Sequence, residues 1–414
     1  MQPPDRLHAL DAVRSYALLL GVVLHAAAAF LEGFPIPTWF VEPSTTAAVI
    51  YYIIHMFRMS AFFLMAGFFA RMVVERRGVK AFVKDRGKRV AIPLFLFGPV
   101  VLILIGLGLV LGGLVHGPAF LQDLVEDMTA AQQAQTGAGA EAAGGGLNTA
   151  HLWFLYYLLI FYLLVLALRG AVHVLDPQRR IAAFADRVVA FVMSGAWGPV
   201  LIAVPLFAWF AQSATWNEWI GLPAPFSFVP NLDALVGYGV AFGLGWLLHR
   251  QIELLLDLRR LWHFYLAAAV ALTVICLRIA GLTPIWQGPT LGGAERIVYT
   301  AAYMVGIWCW VFAFVGGAVR FLSKESPVNR YLADASYWIY LMHMMTILFF
   351  ITALRPYDWH WSIKFFIYVA GSMPILLLTY RYFVRYTWIG AVLNGRRHPR
   401  PGKSPPQDAV AAPG

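Results

Sequence analysis

The chain has 414 residues, 60% of them hydrophobic and 13% charged, with a formal net charge of +10 and a mean hydropathy of +0.68. Soluble domains carry roughly 25% charged residues, so this composition excludes a secreted or cytosolic globular enzyme, a nucleic-acid reader and a disordered scaffold. It requires many segments whose solvent is lipid, and the first question about the positive charge is on which side of a membrane it lies.

Apolar runs near the ~20 residues needed to cross a bilayer fall at 10–32, 47–72, 90–115, 151–169, 197–215, 231–249, 261–280, 296–320, 334–354 and 362–386. They predict an all-α, polytopic integral membrane protein of about ten transmembrane helices. The first run opens with Asp11 and Arg14 and lacks a basic leader with a small-residue cleavage site, so it is expected to stay as a span. Residues 1–390 form the membrane domain in this reading. The Pro/Gly/Ala-rich, basic segment 391–414 is expected to be a disordered tail held against anionic lipid.

Of the 31 Lys and Arg residues, 25 fall in alternate connections on one side. The densest of these connections runs from Arg71 through Arg86 to Arg89. The opposite side holds only Arg278, Arg296, Arg355 and Lys364. By the positive-inside rule both termini are cytoplasmic. The 116–150 loop, with Asp123, Glu126 and Asp127, becomes an exported flexible connection, a spacer or a mobile lid. Cys276 and Cys309 lie inside apolar runs, so neither a disulfide framework nor a metal site is expected from them.

An ionisable residue inside a span costs at least ~2.5–3.5 kcal/mol and asks for a partner or a function. In the first run Asp11 and Arg14 are three apart and share a helix face near the cytoplasmic entrance. His25 lies about 21 Å deeper at 1.5 Å per residue. In the second run His55 and Arg58 share a face, and Arg58 lies roughly 20 Å from Arg71. The two counts put His25 and Arg58 at similar depth. A fixed cation beside His25 would favour the neutral imidazole that a general base needs. His151 opens the fourth run and His343 lies about 14 Å into the ninth. For both, an interhelical hydrogen bond is the plainer alternative to a functional role. No pair among these four histidines has the i,i+4 spacing of helical metal ligands, so no metal is expected.

Trp39, Trp216, Trp219, Trp286, Trp359 and Trp361 fall in the exported connections with Glu42, Glu218, Asp233 and Asp358. They are read either as an interfacial aromatic belt or as a floor on which sugar rings stack. The run Thr215–Trp219, TWNEW, most suggests the floor.

The segments LDAVRSYALLLGVVLH, IHMFRMSAFFLMAGFFARM, HLWFLYYLL and SYWIYLMH, in this order, resemble the acyltransferase-3 family of multi-span bacterial membrane acyltransferases. They are most similar to a branch that modifies periplasmic glucans. The resemblance runs from about Leu7 to Trp388. It implies an inner-membrane enzyme of ten spans that takes an acyl group, succinyl or acetyl, from cytoplasmic acyl-CoA to a sugar hydroxyl on the exported side. On this likeness Arg14 and His25 match the family's essential first-span Arg and His, and Arg58 matches the Arg of its second-span FR motif; with Asp11, read from its place beside Arg14, His25 and Arg58 are taken as the catalytic set, His25 as base or transient acyl carrier. Arg14, Arg71, Arg86 and Arg89 would meet the donor's phosphates. His55, His151, His343, Trp153, Glu218 and Trp219 would line the acceptor site. Ser60 and the Ala/Gly-rich stretch at 130–147 depart from the family pattern without touching the ionisable set. The competing reading is an exporter of glycan or lipid that uses the same His/Arg set as a polar path.

Overall fold

The computed structural model describes residues 3–32, 39, 41–117, 122, 126, 149–282, 291–395 and 398–399, with side chains from His8 onward. Trp286, Asp123, Asp127 and the 130–147 stretch lie outside the described residues, as does most of the tail. Among the described residues every regular element is helical. The order is α1 (Pro3–Ala28), α2 (Thr45–Arg86), a π-turn (Gly87–Ala91), α3 (Ile92–His116), a 3₁₀ turn (Ala150–Leu152) and α4 (Trp153–Leu175). Then follow α5 (Arg180–Met193), α6 (Gly198–Phe210), α7 (Leu232–Leu248), a 3₁₀ segment (His249–Leu254) and α8 (Leu255–Ala280). The chain continues through α9 (Gly293–Phe321), α10 (Pro327–Leu354), α11 (Trp361–Thr379), a π-turn (Tyr380–Val384) and α12 (Trp388–Asn394).

Each of the ten apolar runs falls in a helix, but length and apolarity separate seven membrane-crossing stretches, or eight if the bent pair α5–α6 counts as one. The difference has a local cause. α2 continues through the π-turn into α3 as a stretch of 72 residues, and α7 continues through the 3₁₀ segment into α8 as one of 49. Within α2 the break is Gly78, whose φ of +78° only glycine adopts readily. The run at 197–215 yields a helix of 13 residues, about 20 Å long, shorter than a ~30 Å hydrocarbon core.

α5 has no counterpart among the ten runs. Asp176 starts it by accepting from the backbone N–H groups of Arg180, Ile181 and Ala182. Its exposed Ile181, Phe184, Val188 and Phe191 lie along one face, and it meets α6 at 113°. That is the pattern of a helix lying in an interface. α12 spans residue 390. The Leu393 carbonyl accepts from Arg89 Nε at 3.4 Å, and His398 reaches Asp334 at 3.3 Å.

α1 is central, packed against α2, α9, α10 and α11. α2 lies along α7, and α8 along α9. The α2–α7 crossing is tight at two glycines: a Cβ at Gly67 would overlap the Phe242 carbonyl, and one at Gly245 would overlap the Leu64 carbonyl. Small residues that let backbones touch are what bind helices where no hydrophobic force acts between them.

Candidate active site

The four histidines and Arg58 gather where α1, α2, α10 and the turn before α4 meet. Gly21, one helical turn before His25, makes room for this: a Cβ there would lie 2.9 Å from Arg58 Nη1 and 3.8 Å from His343 Nε2. His55, Arg58, His151 and His343 are buried, while His25 is part-exposed. The His25 ring centroid lies 4.9 Å from that of His343, and His343 lies 5.2 Å from His151.

The carbonyls around these rings fix their tautomers, because a carbonyl oxygen only accepts. His25 Nδ1 lies 2.8 Å from the Gly21 carbonyl, so Nδ1 carries the proton and Nε2 the lone pair. His343 Nδ1 lies 2.7 Å from the Tyr340 carbonyl, which leaves His343 Nε2 as an acceptor. His25 Nδ1–H therefore also donates to His343 Nε2, at 3.0 Å. His151 Nε2–H donates to the carbonyls of Tyr340 and Leu341 at 3.1 and 3.2 Å. The outer end of α1 is held as well, since Trp39 Nε1 donates to the His25 carbonyl at 2.8 Å.

Arg58 acts electrostatically on all four imidazoles. The other titratable groups around it are the Tyr51, Tyr238 and Tyr340 phenols, which carry no charge to offset it. Among the described residues it has no ion pair, and its Nε has no hydrogen-bond partner. Nδ1 of His55 and Nδ1 of His151 are likewise buried without partners. A buried cation without a counter-charge, ringed by unpaired polar atoms, is suited to an anionic or polarised ligand.

Other expected residues stand elsewhere. Asp11 does not join the histidines: it pairs with Arg14 at 3.4 Å, with both side chains part-exposed, about 21 Å back along α1 from His25. Arg14 also lies over the Phe69 ring. Arg14, Arg86 and Arg89 share one electrostatic neighbourhood with Asp85 beside Tyr162, and Arg86 stacks over that ring. Arg71 belongs to a different group, donating to Glu75 at 2.6 Å and to the Trp246 carbonyl at 3.3 Å.

The open aromatic floor does not form at TWNEW. Trp216 and Trp219 are buried, and Glu218 is held by Arg296 at 3.2 Å. Trp219 instead ends a stack with Tyr51 and His55, with centroid separations of 6.1 and 5.3 Å. Its Nε1 is buried without a partner. Trp153 is buried against Tyr157 and Tyr238. Tyr51 and Gly21 are the site residues that sequence reasoning missed. Each sits one helical turn from an expected histidine, and that spacing was the available signal.

The family model described as an acyltransferase domain (acyltransferase-3) matches residues 7–381. The chain belongs to this acyltransferase family. It is similar to glucans biosynthesis protein C of Escherichia coli strain SMS-3-5, with 36% identity over 95 residues, 22% of this chain and 24% of that protein. The same-named protein of E. coli O157:H7 strain EC4115 is 35% identical over 95 residues, with the same coverage. The match thus spans about a quarter of the length of these curated relatives. No solved structure matches the chain. Acyl transfer to a hydroxyl requires a base and a stabiliser for the developing oxyanion. For this acyltransferase-family chain, an imidazole with a free Nε2 beside a guanidinium is chemically adequate to both tasks.

Proposed function

We propose that this protein is a bacterial inner-membrane O-acyltransferase that moves a succinyl or acetyl group from cytoplasmic acyl-CoA to a sugar hydroxyl of a periplasmic or surface glycan. The observation that carries the reading is the buried, uncompensated Arg58 beside His25, in a chain of the acyltransferase family. The likeness to proteins named for glucans biosynthesis supports a glucan as acceptor.

In this mechanism His25 Nε2 takes the proton of the attacking hydroxyl as its oxygen bonds to the thioester carbonyl carbon. The oxyanion forms against the Arg58 guanidinium. Collapse breaks the carbon–sulfur bond, and His25 returns the proton to the leaving thiolate. His343 Nε2 accepts from His25 Nδ1–H throughout, which keeps Nε2 as the basic atom and turns the ring toward the hydroxyl. This makes His343 a positioning residue. Arg14, Arg86 and Arg89 are the group proposed to meet the phosphates of the donor, for which guanidinium forks are suited. His55, His151, Tyr51 and Trp219 line the acceptor side in this reading.

The topology we propose has ten crossings and both termini in the cytoplasm. It divides α2–α3 at the Gly78 and π-turn region and α7–α8 at the 3₁₀ segment, and it counts α6, entered from the interfacial α5, as one short crossing. The test is transfer in membrane vesicles supplied with acyl-labelled succinyl-CoA or acetyl-CoA and a glucan. Label on the glucan is expected with one of the two donors. Glucan movement without acyl-CoA, and no label with either donor, would instead indicate an exporter.

A further inference from the structure

Away from the histidines, a pocket of about 460 Å³ opens between the first turns of α8 and the last turn of α9. Leu256, Arg259, Arg260, Trp262, His263 and Arg320 line it, with no carboxylate among them. Arg260 and Arg320 are exposed and have no ion pair among the described residues. Trp262 packs edge-on against Phe321 with centroids 5.2 Å apart, and Phe321 itself is exposed. None of these residues belongs to the Arg14/Arg86/Arg89 group.

The pocket continues into an apolar face. From Arg260, the exposed residues of α8 recur with helical period through Phe264, Val270, Val274 and Ile275 to Arg278. Arg260 and Arg278 are 18 positions apart, which spans about 27 Å, close to the ~30 Å of a bilayer core. This puts Arg260 at headgroup level on the lipid-facing side of α8, with Trp262 at the same level, where indoles prefer to sit.

We infer that this pocket binds the phosphodiester headgroup of an anionic phospholipid, with its acyl chains lying along the Phe264–Ile275 face of α8 and against Phe321. Guanidinium forks match phosphate oxygens, and basic pockets between spans at the cytoplasmic surface take anionic headgroups. A water-soluble phosphate would satisfy the arginines equally but leave the apolar continuation uncovered. The inference goes beyond the proposed acyl transfer and does not depend on it.

The test is native mass spectrometry of the full-length protein extracted from vesicles of equal phosphatidylglycerol and phosphatidylethanolamine. The wild type is expected to retain phosphatidylglycerol preferentially. Arg260→Gln/Arg320→Gln is expected to lower that retention by about fivefold for each arginine lost. Arg260→Lys/Arg320→Lys, which keeps both charges, is expected to preserve most of it. The inference is overturned by equal retention of the two lipids in the wild type, by retention unchanged in the Gln variant, or by retention equally low in the Gln and Lys variants. Displacement of the lipid by millimolar inorganic phosphate would overturn it too, since it would identify a site for soluble anions.

Discussion

At the scale of single residues, the proposed proton transfer depends on which atom of His25 is free. The Gly21 carbonyl and His343 Nε2 both engage Nδ1, so Nε2 is the atom left to act as base. His343→Ala should remove one of those two constraints and let the ring turn. The expected result is a fall in kcat of roughly 10²-fold, with KM for acyl-CoA unchanged and partial recovery in His343→Gln, which keeps an acceptor. A parallel loss of kcat and of folded protein would assign His343 to packing alone. The ionisable members of this cluster were legible in the sequence, because a charge or imidazole in an apolar run has few reasons to be there. Their pairing was not. Counting residues gives depth along a helix but not the direction each helix faces, so it matches His25 in depth with Arg58, whereas the hydrogen-bond partner of His25 is His343. The TWNEW segment differs: its tryptophans read as an interfacial belt or a sugar-stacking floor, whereas Trp216 and Trp219 bury their rings against Tyr299, Tyr303 and Tyr51.

Among elements, apolar runs located the helices well, and glycines decide how closely two of them pack. Gly245 faces the Leu64 carbonyl, a backbone atom that cannot swing aside, whereas Gly243 on the same helix has nothing within 4 Å of a Cβ position. Gly245→Val is therefore expected to destabilise the protein by about 1–3 kcal/mol or more, and Gly243→Val to be near neutral. Melting temperatures of the two detergent-solubilised variants check this; equal values would mean that the α2–α7 crossing is not tight. α5 escaped sequence reading because its apolar residues are spaced for one face and interrupted by Arg180, Asp186 and Arg187, so no run appears. α6 is visible as a run, but its shortness is not, because residues 211–215, the end of that run, leave the helix for turns and bends.

For the whole molecule, the charge distribution makes a testable statement about direction. Cysteine introduced at the exposed Trp359 should react with an impermeant maleimide in intact cells, and cysteine at Lys324 only after the inner membrane is opened. The reverse pattern would invert the proposed topology. The two native cysteines are buried, so background labelling should be low. In the proposed topology the arginine group beside Tyr162 lies on the cytoplasmic side of the histidine cluster along α1. The central claim is that His25 takes the proton of the attacking sugar hydroxyl. Its most direct test is the rate at which label passes from acyl-CoA to glucan in vesicles containing His25→Ala at wild-type levels. A loss of at least about 100-fold is expected, with the protein still inserted and folded; transfer at the wild-type rate would contradict the mechanism.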